Sequence, residues 1–100
     1  MALAVFCIAY AHETSAADFT SNELLTWEKQ RQDGYFQISI TMASFIAAGN
    51  NQAQASCIDD WYGNHSQKRH EEVRDALRRF QSYHPTGVII ALLEKVCGEF

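Results

Sequence analysis

Two cysteines, Cys57 and Cys97, constrain this chain more than any other feature of its sequence. A third cysteine, Cys7, lies in an apolar N-terminal stretch. If that stretch is removed on export, an even pair remains in an oxidising compartment, where disulfides form and persist. A bridge closing a loop of about 41 residues contributes roughly 4 kcal/mol in the chain-entropy model. We therefore predict a small domain closed by a Cys57–Cys97 disulfide.

The N-terminus has most features of a signal peptide. Residues 2–11 are apolar, and Ser15-Ala16-Ala17 matches a small-x-small cleavage pattern. An apolar stretch of about ten residues is too short to span a bilayer. We predict a signal peptide over residues 1–17, a domain over residues 18–100, and a periplasmic or secreted protein. The stretch has no Lys or Arg, so an N-terminal core helix is the alternative.

Composition narrows the class of protein. The chain has 100 residues, 47% of them hydrophobic and 20% charged, which is typical of one globular domain. Its formal net charge is −4. A nucleic-acid binder usually has a basic face and a high isoelectric point, so the sequence argues against that class of partner. It also predicts no membrane span.

Apolar periodicity predicts helices throughout the domain. A helix is expected over residues 21–31, capped by Thr20, with Asp33-Gly34 as an interruption. Further helices are expected over residues 35–48, 53–62, and from Asn64 or Ser66 to about residue 80 or 82. In the second, one apolar face is formed by Tyr35, Ile38, Met42, Phe45 and Ile46. Phe36 and Ile40 widen that apolar surface, so we expect this helix to be central.

A last helix should begin at Pro85 and end before Gly98. Apolar stripes are expected on the last two helices, at Val73, Ala76, Leu77 and Phe80, and at Val88, Ile89, Leu92, Leu93 and Val96. No segment is predicted to be a strand. The predicted fold is therefore all-α, a small bundle of four or five helices closed by one disulfide.

Catalytic and metal-binding interpretations are weak. Cys57 with His65 or His84 as base would need a free thiol, which a disulfide removes. Asp59, Asp60, His65 and His70 are residue types that bind zinc, but their spacing matches no metal motif. We expect a protein that is not an enzyme and that has no metal or cofactor.

The best candidate for a recognition surface is the segment around the predicted end of the third helix. It brings acidic and aromatic side chains next to a Gly-Asn break, where loops tend to carry function. Tyr and Trp are also favoured at binding hot spots. The predicted partner-binding residues are Asp59, Asp60, Trp61, Tyr62, Asn64 and His65.

The layout resembles the Rap/Tai immunity-protein family. The matching elements are Asn22-Glu23-Leu24-Leu25, the helix from Gly34 to Gly49, Ser56-Cys57-Ile58, Val73 to Phe80, and His84-Pro85 before Cys97. The resemblance implies an exported helical protein that neutralises a peptidoglycan amidase effector of type VI secretion. The implied act is steric inhibition, with another protein as the partner.

A second resemblance is to periplasmic acid-stress chaperones of the HdeA type, which are also short, helical, exported and single-disulfide. Such a chaperone exposes apolar surface at low pH, as carboxylates and histidines become protonated. His65, His70 and His84 permit this behaviour. A homodimer is a further expectation, since a small bundle gains buried area by pairing.

Overall fold

The protein was analysed as a computed structural model that describes residues 18–100, so the predicted signal peptide of residues 1–17 lies outside it. Within the described range the chain forms five helices and no strand: α1 (Ser21–Leu24), α2 (Lys29–Asn50), α3 (Gln52–Gly63), α4 (Ser66–Arg79) and α5 (Pro85–Cys97). Cys57 in α3 is bonded to Cys97 at the end of α5. The all-α bundle and its disulfide are therefore confirmed.

The first helix is shorter than the sequence predicts. It was expected to span residues 21–31 but ends at Leu24. Thr20 caps it as expected, because its side chain accepts a hydrogen bond from the amide of Glu23 at 3.2 Å.

A turn occupies residues 25–28, and residues 29–31 of the predicted first helix form the start of α2. Gln32 of α2 donates its side-chain amide to the carbonyls of Leu25 at 3.2 Å and Trp27 at 2.8 Å. These bonds satisfy turn carbonyls that would otherwise lack partners in this half-buried position. Gln32 thus holds the turn that follows α1, while backbone amides of that turn bond the last carbonyls of the helix.

The predicted interruption at Asp33-Gly34 is wrong, since α2 continues through both residues. A glycine inside a helix costs about 1 kcal/mol relative to alanine. Here that cost is offset by tertiary bonds, because the Asp33 carboxylate contacts both His70 and Arg74 of α4.

The face of α2 that is buried lies opposite the face with the larger apolar side chains. The helix turns inward Gln32, Phe36, Ile40, Ala43, Ser44 and Ala47. Four of the five large side chains of the predicted face point outward: Ile38, Met42, Phe45 and Ile46 are 66%, 58%, 79% and 55% exposed, whereas Tyr35 is half-buried. We call these four residues the α2 stripe. Only Phe36 and Ile40, which the sequence analysis placed at the margin, enter the core.

Small residues allow the buried face of α2 to pack closely against α3. A single residue, Asn51, separates α2 from α3, and its side chain caps α3 at the amide of Gln54. These two helices have the most extensive packing in the described range. Ala47 and Ala55 are fully buried, and such small side chains allow close helix packing.

The core lies between these helices and the pair α4 and α5. Its buried apolar side chains are Leu24, Phe36, Ile40, Ala43, Ala47, Ala55, Ile58, Val73, Ala76, Leu77, Val88, Ile89 and Leu93. Among residues 18–100, no helix has the combination of length and hydrophobicity that crossing a membrane requires.

The last two helices follow the predicted bounds closely. Pro85 begins α5, and Gly98 ends it with a φ of +93°. Neither Asn64 nor Ser66 caps α4, because His65 occupies the cap position without a side-chain bond.

Two residues predicted to lie in apolar stripes are instead exposed. Phe80 is 49% exposed and Val96 is 40% exposed, because each lies at the end of its helix, beyond the packed core. Leu92 is half-buried.

Substitution of two phenylalanines tests which face of α2 is buried. Phe36→Ala should lower the free energy of unfolding by about 3–5 kcal/mol, because Phe36 is fully buried. Phe45→Ala, its matched control on the same helix, should change it by less than about 0.5 kcal/mol. Denaturant unfolding followed by circular dichroism measures both. The reverse order of the two effects would contradict the assignment of the buried face.

Candidate functional site

The predicted partner-binding segment spans a corner of the bundle. Asp59, Asp60, Trp61 and Tyr62 occupy the last turns of α3, followed by Asn64 and His65 at the junction with α4. All six are at least partly exposed to solvent, and the Trp61 and Tyr62 side chains are half-buried. Because they are distributed around the end of a helix, they do not form one face.

Part of this segment faces α2. Asp59 and Tyr62 line a groove of about 300 Å³ between α2 and α3, together with Phe45 of the α2 stripe. The Asp59 carboxylate accepts a hydrogen bond from the Ser44 hydroxyl at 2.5 Å. The structure therefore joins these two predicted residues to an apolar surface that the prediction did not include.

Trp61 faces elsewhere. Its ring lies under the Arg69 guanidinium at 4.8 Å, and its carbonyl accepts a hydrogen bond from Arg69 Nε at 2.7 Å. Arg69 also pairs with Glu72 at 2.8 Å. Half-buried and covered by a cation, Trp61 is part of the joint between α3 and α4. Asp60, Asn64 and His65 are exposed around this joint and are not brought together with Asp59.

The α2 stripe is the main candidate surface, and the sequence analysis assigned it to the interior. Its residues follow one another at intervals of four, three and one, which places them on one side of the helix. No Asp, Glu, Lys or Arg occurs between Tyr35 and Ile58. Charge depletion with exposed aromatic and methionine side chains is typical of the centre of protein–protein interfaces. That charge-free run is the sequence signal that would have identified the stripe.

The stripe also continues onto α5. A shallow apolar groove of about 230 Å³ is lined by Ile38, Met42 and Ile46 on one side and by Ile89 and Ile90 on the other. Phe45, at the opposite margin, borders the groove that contains Asp59. The stripe is thus a ridge with a groove on each flank.

A buried polar network lies beneath the corner. His70 is 8% exposed; its Nε2 is 2.8 Å from the Tyr62 hydroxyl and its Nδ1 is 3.1 Å from the Asp33 carboxylate. Arg74 is 4% exposed and donates to Gln32 Oε1 at 2.9 Å, while also pairing with Asp33.

The Tyr–His–Asp chain ties three helices together. Its hydrogen bonds connect α2, α3 and α4. Burial lowers the pKa of His70, partly offset by the neighbouring Asp33 carboxylate. Burial likewise raises the pKa of the Tyr62 hydroxyl, with Asp33 contributing. Both shifts favour neutral side chains, as expected of a hydrogen-bonded core.

Two alternatives that the sequence raised were a Cys57 nucleophile and a metal site. Cys57 is bonded to Cys97, so it has no free thiol to act as a nucleophile. In the part of the chain that the structure covers, no three His, Cys, Asp or Glu side chains come close enough together to hold a metal ion.

Comparison of the chain with protein-family models, with characterised proteins and with solved structures finds no match. We therefore infer the function of the chain from its surface and from the chemistry of its residues.

The His70 network predicts an acid-dependent stability. A lowered pKa in the folded state means that the unfolded state takes up a proton first, so stability should fall as pH drops below about 6.5. The slope from this residue can reach at most about 1.4 kcal/mol per pH unit. His70→Gln should flatten the dependence of unfolding free energy on pH between about pH 7 and 5.

The exposed histidine His65 supplies the matched control, and His65→Gln should leave the pH dependence unchanged. Urea unfolding at several pH values measures all three proteins. An equal slope in wild type and His70→Gln would show that the network does not carry the pH dependence.

Proposed function

We propose that this chain is an exported protein-binding module that acts as an immunity protein, inhibiting a peptidoglycan amidase effector by occupying its substrate cleft. The proposal joins the Rap/Tai resemblance to one structural observation. That observation is the α2 stripe, four large apolar side chains held outward on a long helix without a charged residue among them.

Exposing the apolar side chains of the α2 stripe to water is unfavourable unless a partner covers them. The four side chains present on the order of 500 Å² to solvent, whereas a stable interface buries about 800 Å² per partner. The grooves on its two flanks extend the apolar surface beyond these four side chains. Contiguous apolar patches of this extent mark interaction sites in soluble proteins.

The shape of the stripe suits inhibition by obstruction. The stripe is a ridge. A hydrolase that cuts a polymer must have a cleft long enough to admit that polymer. A ridge that enters such a cleft excludes substrate without chemistry of its own. Phe45 is the most exposed large apolar side chain of the described range and would be the central anchor. Asp59 and Tyr62 lie beside it and would supply polar contacts at the rim.

Export is supported by the leader-like N-terminus and by the disulfide, since disulfides persist in oxidising compartments. The bridge ties α3 to α5, and both helices pack against α2. A periplasmic location would place the module where peptidoglycan is cut.

Charge placed in the α2 stripe tests the proposal. The disulfide-bonded chain should bind and inhibit one amidase from the same or a neighbouring strain. Phe45→Asp should weaken that binding by at least about 30-fold, because loss of a hot-spot anchor costs about 2 kcal/mol or more. Lys68→Asp, on the exposed side of α4, is the matched control and should bind like wild type. Calorimetry and a peptidoglycan-digestion assay measure both effects.

Three other outcomes are informative. Failure to bind any such amidase would refute immunity. Full binding by Phe45→Asp would move the interface to another surface. Light scattering that finds a dimer, dissociated by Phe45→Asp, would reassign the stripe to self-association.

The acid-stress chaperone remains the second candidate, because the His70 network would open at low pH. Burial lowers the pKa of His70, so acid weakens the joint that its hydrogen bonds form between α2, α3 and α4. Suppression of client aggregation near pH 3, absent at pH 7, would favour that function over immunity.

A further inference from the structure

A concave surface on the opposite side of α5 differs in shape and charge from the α2 stripe. A cleft of about 410 Å³ runs between α4 and α5. Its lining includes the apolar side chains of Phe80, Tyr83, Val88 and Leu92. We call this surface the α4–α5 cleft.

Small residues open the cleft along α5. Gly87, Ala91 and Lys95 follow one another at intervals of four, so they lie in one row that is about 12 Å long. A Cβ atom added at Gly87 would meet no atom within 4 Å. Ala76 faces this row from α4. The row is long enough to receive about two turns of another helix.

Two exposed aromatic rings border one end of the cleft. Phe80 and Tyr83 are 49% and 63% exposed, and their centroids are 5.8 Å apart in an edge-to-face arrangement. Such rings are favoured anchors in protein interfaces because they offer much apolar area with few rotatable bonds.

The charges at the rim select the chemistry of the occupant. One bank carries Arg79 and the other carries Lys95. Among the described residues neither has a carboxylate within 4 Å, whereas Arg69, Arg74 and Arg78 are each paired with one. In a chain with a net charge of −4, unpaired cations on both banks of an apolar cleft complement an acidic ligand.

We infer that the α4–α5 cleft is a second docking site, which takes an amphipathic helical segment of a partner protein with acidic residues on both sides of its apolar face. A small amphiphile fits less well. Ligand pockets bury most of their ligand, whereas six of the nine lining residues here are exposed. A helix needs only one face covered. The site lies apart from the α2 stripe and does not depend on the amidase proposal.

Selection from a displayed peptide library tests this inference. The probe is a set of amphipathic helices of about 15 residues, with the apolar face fixed and the flanking positions free to be Glu, Lys or Gln. The disulfide-bonded wild-type chain should select Glu at the flanks. The double variant Arg79→Glu/Lys95→Glu should select Lys instead. Each selected peptide should bind its own target at least about tenfold more tightly than the other target.

Two further variants separate the cleft from general charge effects. Ala91→Trp should abolish selection, because it fills the cleft from an exposed position that the core does not need. Lys68→Glu removes another exposed cation and should select the same peptides as wild type. Circular dichroism confirms that each variant is folded.

The inference is overturned by selection without charge preference, by peptides whose binding survives Ala91→Trp, or by no selected peptide at all. Binding of dodecanoate that Ala91→Trp abolishes, with no peptide selected, would also overturn it and would reassign the cleft to a small amphiphile.

Discussion

The buried guanidinium of Arg74 is the interaction on which the arrangement of this bundle depends. A buried cation is expensive unless it is paired and its donors are satisfied. Arg74 meets that requirement by bonding to Gln32 and Asp33 of α2 and to Glu71 of its own helix. Gln32 in turn holds the turn after α1 through two backbone carbonyls. One side chain of α4 thus fixes the position of α2 and, indirectly, of α1.

This constraint also decides which face of α2 is hidden. Since Gln32 faces Arg74, residues about one, three and four turns later on the same side, Phe36, Ala43 and Ala47, are carried into the core. The stripe lies about half a turn away and is carried outward, despite being the bulkier apolar set. Polar pairing, more than hydrophobic volume, selects between two faces that are both apolar. The exposed stripe is therefore a consequence of the register that Arg74 imposes.

Sequence patterns predicted what local chemistry controls. The cap at Thr20, the helix start at Pro85, the stop at Gly98 and the pairing of Cys57 with Cys97 follow from short-range rules and from cysteine number. The shortened α1 and the reversed face of α2 could not be read in the same way. Both depend on bonds from Gln32 and Arg74 to residues elsewhere in the chain, and periodicity contains no information on such partners. The candidate site was missed for the same reason, because exposed and buried apolar faces have equal periodicity.

The contacts that stabilise the bundle are separate from the α2 stripe, and this separation affects how the surface can change. The network joins α2, α3 and α4, and the disulfide joins α3 to α5, so the helices are held together from their inner faces. The α2 stripe has no part in either device. Substitutions at Ile38, Met42, Phe45 or Ile46 should therefore cost little stability, since exposed positions away from packed features are nearly neutral. A scaffold of this kind can vary its contact residues to follow a changing partner while its fold stays fixed. That separation is what a module needs if its function is to fit one protein tightly and related proteins weakly.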